Sequence, residues 1–192
     1  ILAQTAALID EGARSYGRLL ALWTELGGEA GRVLAIEDVL DRIVVPIAKI
    51  TNVLLIVLDG HSWATEREIE RTIEALGWGA IGPEKESLPT VVAALPTITA
   101  ASRTSLLCGK LQLGEQSAEA NAFAGHMGLA KASKATKPPR LFHKAAVRGS
   151  SGKGLSEEVR QAIGDQDQRV VGIVLNAVDD SLTKSDQIAG RW

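Results

Sequence analysis

A chain of 192 residues, 45% hydrophobic and 23% charged, carries enough apolar material for one domain with a real core. The formal net charge of −2 argues against a uniformly basic nucleic-acid binder, and no apolar run approaches the ~18–20 residues that cross a bilayer. The single cysteine, Cys108, excludes an internal disulfide framework and fits a reducing compartment, so the expected location is cytoplasmic.

The opening "ILAQTAALIDEG" has neither an initiating Met nor a basic n-region, so it does not read as a secretory signal. The last residues, "SDQIAGRW", show no closing element, and the sequence is expected to be a piece of a longer protein. The first fifty residues read as helical. Leu8, Ala13, Leu19, Leu20 and Trp23 fall near one face at helical spacing until Gly27-Gly28 stops the pattern. "LAIEDVLDRIVVPIAKI" predicts a second amphipathic helix that Pro46 ends or kinks. These two packing helices, residues 1–50, are expected to form an upstream segment or linker.

The texture changes at Asn52. Val53 to Leu58 is an unbroken aliphatic run closed by Asp59-Gly60, the pattern of a strand buried on both faces in a parallel sheet. Ala64 to Trp78 alternates apolar and charged residues with helical period, and "TVVAALP" is a short strand-like run ending at Pro96. "SRTSLLCG" predicts a helix with Gly109 as its C-terminal stop, and "SEEVRQAIGDQ" a helix with Ser156 as its N-cap. "RVVGIVLNAVDD" repeats the theme of buried strand followed by acids. Alternating strands and helices predict an α/β fold, a mostly parallel sheet flanked by helices, over residues 51–192.

Ligands bind at the carboxyl ends of strands in open α/β sheets. Two such ends carry acids here: Asp59, and the pair Asp179-Asp180. Each also has a structural reading, as a turn residue or a helix cap, but oxygen ligands converging from two strand ends are able to hold a metal. In "LPTITAASRTSLLCG" three threonines and two serines crowd between a proline and a glycine. Thr99 falls at the first turn of the predicted helix, where backbone N–H groups and the helix dipole favour an anion. A hydroxyl there becomes a competent nucleophile when a metal lowers the cost of its alkoxide. The alternative is that Thr99 is an N-cap and Ser102 solvates the first turn. Spacing leaves both open.

Four segments, "VLLIVLDGHSW", "LPTITAASRTSLLCG", "PRLFHK" and "RVVGIVLNAVDDSLTKSDQ", occur here in an order and spacing that resembles PglZ domains, alkaline-phosphatase-superfamily domains of BREX-type bacteriophage defence. The resemblance spans about Asn52 to Trp192 and implies an alkaline-phosphatase-like fold. It implies a phosphate ester or diester substrate, Asp59 as a metal ligand, and Thr99 as the nucleophile. Ser102 stands where a polar side chain holds a phosphoryl oxygen, although Asn is common there, and Arg103 adds a phosphate contact or faces solvent. Asp179 and Asp180 are the implied ligands of a second metal, with Asp186 a further ligand or a cap. Zinc is the usual metal of the superfamily. Position 181 is Ser where PglZ domains often carry His. The superfamily's second Asp-His pair and final His normally follow later in sequence, so the piece is expected to hold half a metal site and to be inactive alone.

His61, His126 and His143 show no ligand spacing and read as structural or surface residues, His61 being the most interesting beside Asp59. Cys108 reads as core packing. "RGSSGKG" lacks the residue after Lys and the preceding strand that a phosphate loop needs. Seven basic residues (Lys131, Lys134, Lys137, Arg140, Lys144, Arg148 and Lys153) lie between Glu119 and Glu157 with no acid among them. They form either a solvated loop or an electropositive rim for a phosphorylated or nucleic-acid substrate. The rival to an enzyme is thus a non-catalytic scaffold of a multi-protein defence complex, binding DNA or partner subunits. If the rim binds DNA, reversing three of these lysines lowers affinity and flattens its salt dependence; unchanged affinity removes the rim.

Overall fold

The computed structural model describes residues 2–26, 33–79, 90–132, 137–149 and 154–176. Asp179, Asp180, Ser181, Asp186, Lys134 and Lys153 lie outside these residues. A three-stranded parallel sheet organises the fold. Its central strand, β5 (Val170–Leu175), pairs on one side with β2 (Val53–Leu58) and on the other with β4 (Arg140–Phe142). Val53 pairs with Val170 through to Leu58 with Leu175, and Arg140 to Phe142 face Val171 to Ile173.

The aliphatic run of β5 is buried on both faces, as its composition predicts. Val170 and Val174 join Leu106, Leu107, Phe123 and Leu129 in the larger core, and Val171 and Ile173 join Phe142, Val147 and Val159 in the smaller one. Each such side chain contributes about 1.5–3 kcal/mol by leaving water. On one face lie α2 (Val45–Ile50), α4 (Thr99–Cys108), α5 (Gln116–Ala124) and α6 (Met127–Ala132); α7 (Lys144–Val147) and α8 (Glu157–Gly164) lie on the other. This is an α/β fold, a parallel sheet flanked by helices, as the alternation of strands and helices predicts. Among the described residues no helix is long and apolar enough to cross a membrane.

Several expectations are corrected. β2 is not buried on both faces: Leu54 is 43% and Ile56 51% exposed, while Val53, Leu55 and Val57 pack on the core. The reason is position: among the described residues β2 ends the sheet order, and α3 (Trp63–Ala75) makes no extensive contact with another element that would cover its outer face. In α1 (Leu2–Glu25) only the end packs; Leu20 is buried, but Leu8 and Leu19 are exposed. Leu34 and Ala35 are not helical. They belong to β1 (Val33–Ala35), which pairs in parallel with β3 (Thr90–Val92) as a separate two-stranded sheet. A 3₁₀ turn and a π-helical turn (Leu40–Val44) follow, and α2 then runs through Pro46 to Ile50. Pro46 does not end the helix: it stands at the start of α2, directly after the π-helical turn whose last bond runs from the Val45 amide to the Leu40 carbonyl. Leu40, Val44, Val45 and Ala48 are part of the main core.

The caps follow the sequence. The Ser156 hydroxyl accepts from the Val159 amide at 3.3 Å. Gly109 ends α4 in the left-handed conformation, φ 64°, and a Cβ there would lie 2.6 Å from His126 Nε2. Gly109→Ala is therefore expected to destabilise the protein by about 2 kcal/mol, read as a lower urea midpoint. An unchanged midpoint would contradict this packing.

Candidate active site

The parallel strands deliver their carboxyl ends to one edge. Asp59 follows β2 and its amide donates to the Leu175 carbonyl at 2.9 Å, so it stands beside Asn176, which follows β5. The Asn176 side-chain amide donates to Asp59 Oδ2 at 3.2 Å. His143 follows β4 at the same edge. The first turn of α4 faces this edge across a cleft of about 660 Å³, whose walls include Asp59, His61, Thr97, Thr99, Ser102 and Arg103. The structure thus brings Asp59, Thr99, Ser102 and Arg103 together. Asp179 and Asp180 lie outside the described residues.

Ile98, not Thr99, is the N-cap of α4, and no side chain caps the helix. Thr99 is the first helical residue and exposed, with Ser102 half-buried one turn on. The start of α4 therefore offers its N-terminal dipole and two hydroxyls to the cleft, an arrangement suited to an anion.

Arg103 does not face solvent. It is buried, its Nη1 donating to Asp59 Oδ2 at 2.8 Å and its Nε to Glu119 Oε1 and Oε2 at 3.1 and 3.3 Å. Glu119, on α5, is 0% exposed and accepts further from the Thr104 hydroxyl at 2.9 Å, while His143 Nε2 lies 2.6 Å from its Oε2. A buried carboxylate is tolerable only when saturated in this way. Behind the cleft the network runs Asp59, Arg103, Glu119, His143.

Glu119 and His143 were not among the residues that the sequence singled out as a site. Sixteen residues separate Arg103 from Glu119, so no helical or strand period links them. His143 had a usable signal: it follows a strand at the carboxyl edge, the rule that selects Asp59.

His61 is half-buried on the cleft wall, its Nε2 3.1 Å from Glu66 Oε2. His126 accepts the Leu129 amide at Nδ1, 3.3 Å away, and serves α6 rather than the cleft. Cys108 is buried; burial and the nearby Glu119 carboxylate push its thiol pKa up, which suits packing and opposes a thiolate. Within the basic segment Lys137 pairs with Asp165, and Arg140 pairs with Glu158 and lies 4.6 Å from the Phe142 ring centroid. Lys131 and Arg148 are exposed.

Among the described residues no three His, Cys, Asp or Glu side chains are grouped to hold a metal ion. Asp59 receives side-chain hydrogen bonds on Oδ2 from Arg103 and from Asn176.

A family model, that of the BREX system PglZ alkaline phosphatase-like domain, matches residues 39–191. No curated protein matches the chain.

Replacing Arg103 by Met would leave Asp59 and Glu119 without their cation beneath the cleft, and a loss of about 3–5 kcal/mol is expected. Adding Asp59→Asn and Glu119→Gln to that variant should recover most of it. A loss under ~1 kcal/mol on denaturant titration of Arg103→Met would contradict the network.

Proposed function

Because the chain belongs to the family of BREX system PglZ alkaline phosphatase-like domains, we propose that it is a metal-dependent phosphohydrolase domain acting on a phosphate ester or diester. One observation carries this reading: Asp59 and Thr99 line one cleft, with Thr99 on an uncapped helix start. The Thr99 hydroxyl attacks phosphorus; a bond from its Oγ1 to phosphorus forms as the bond to the leaving oxygen breaks. Water then cleaves the threonyl phosphate and restores the hydroxyl. Backbone N–H groups of the first turn of α4 and the Ser102 hydroxyl donate to the phosphoryl oxygens as charge develops.

A threonine hydroxyl titrates far above neutrality, and a divalent cation, zinc by resemblance, supplies the charge that makes its oxygen nucleophilic when bound. Asp59 would hold that cation, with Asp179 and Asp180 as further ligands. Arg103 is the residue that sets the Asp59 carboxylate; its contact with substrate is the part of its expected role that the reading retains only at the cleft wall. The domain acts in the cytoplasm alongside other proteins of the defence system.

The test uses the full-length protein with zinc and bis(4-nitrophenyl) phosphate. Thr99→Ala should lower kcat by roughly 10⁴-fold or more, as loss of a covalent nucleophile does, while leaving the melting curve in place because Thr99 is exposed. Chelation should abolish turnover and added zinc restore it. Equal rates for the two proteins would defeat the enzymatic reading in favour of the scaffold.

A further inference from the structure

We propose that Glu119 and His143, which do not line the cleft, are positioning residues that hold Arg103 and through it aim the Asp59 carboxylate. The inference rests on the reading of Asp59 and Thr99 as the site. Glu119 is fully buried, and both of its oxygens are engaged: Oε1 by Arg103 and Thr104, Oε2 by Arg103 and His143. The guanidinium is a rigid plane. Once Nε is held by Glu119, the direction of Nη1 is set, and Nη1 is the group that donates to Asp59 Oδ2. His143 anchors the far side of Glu119 from the end of β4, and Asn176 supports Asp59 from the end of β5. Each strand of the main sheet therefore contributes one end residue to the same chain of contacts.

Stability alone does not explain such a cluster, because buried ionic sets are commonly matched or bettered by apolar replacements. Direction does.

Three readouts on the full-length protein test this. Glu119→Gln should weaken Mn²⁺ binding, measured by calorimetry, about tenfold and lower kcat by a similar factor, as outer-layer changes do, with KM within about twofold. His143→Ala should move both in the same direction, and His143→Gln, which can still donate to Glu119, should restore most of the loss. Mn²⁺ affinity and kcat within twofold of wild type in Glu119→Gln would overturn the proposal, and the His143 pair decides it if that variant does not fold. The third readout needs no activity. Asp59 and Glu119 share Arg103, and the double variant leaves that buried cation with neither carboxylate, so the melting-temperature losses of Asp59→Asn and Glu119→Gln should combine to more than their sum in the double variant. Additive losses would overturn the linkage. A wild-type protein that neither binds Mn²⁺ nor hydrolyses diester, yet shows the non-additive cycle, would sink the phosphohydrolase reading while upholding the linkage.

Discussion

The guanidinium of Arg103 sits between two carboxylates, and the candidate site depends on it. Without that cation, Asp59 at the sheet edge and Glu119 in the interior would repel each other across low-dielectric space. With it, a residue on α4, a residue on α5 and the ends of the main sheet become one unit. The helix that carries Arg103 also carries Thr99 and Ser102 one turn away or less. Fixing Arg103 therefore fixes the start of α4 relative to Asp59, and a structural ion pair becomes a constraint on chemistry.

The sheet prepares this arrangement. Parallel strands end on the same side, so Asp59, Asn176 and His143 arrive together without any local sequence relation. The apolar run of β5 makes that edge rigid: Val170 and Val174 pack on one layer of helices, Val171 and Ile173 on the other. Gly172 lets Leu141 and the Phe123 ring approach the strand, since a Cβ there would lie 2.7 Å from Leu141 Cδ1 and 3.2 Å from Phe123 Cζ. Phe123 is on α5, one turn after Glu119, so the packing that seats the helix also seats the buried carboxylate.

Much of this was legible in the residues. The unbroken run of Val170 to Leu175, the Asp59-Gly60 turn, Gly109 after α4 and Ser156 before α8 are local signals, and their structures match. What local signals miss is pairing. Leu34 and Ala35 fit a helical period but form a strand because Thr90 to Val92 lies alongside. Leu54 and Ile56 are as aliphatic as their neighbours, yet edge position, not composition, sets their exposure. Glu119 looked like one acid on an ordinary helix, since its partners are distant in sequence. The roles of Thr99, Asp59, Asp179 and Asp180 came from family resemblance; the membership is established over residues 39–191, and the roles are proposals.

The central claim is that Thr99 and Asp59 serve one reaction centre. A crystal structure of the full-length protein with zinc and vanadate, a mimic of phosphorus under attack, tests it most directly. The account predicts vanadium bonded to Thr99 Oγ1 and an anomalous zinc signal on the Asp59 carboxylate. Vanadate bound away from Thr99, or zinc bound without Asp59, would contradict it.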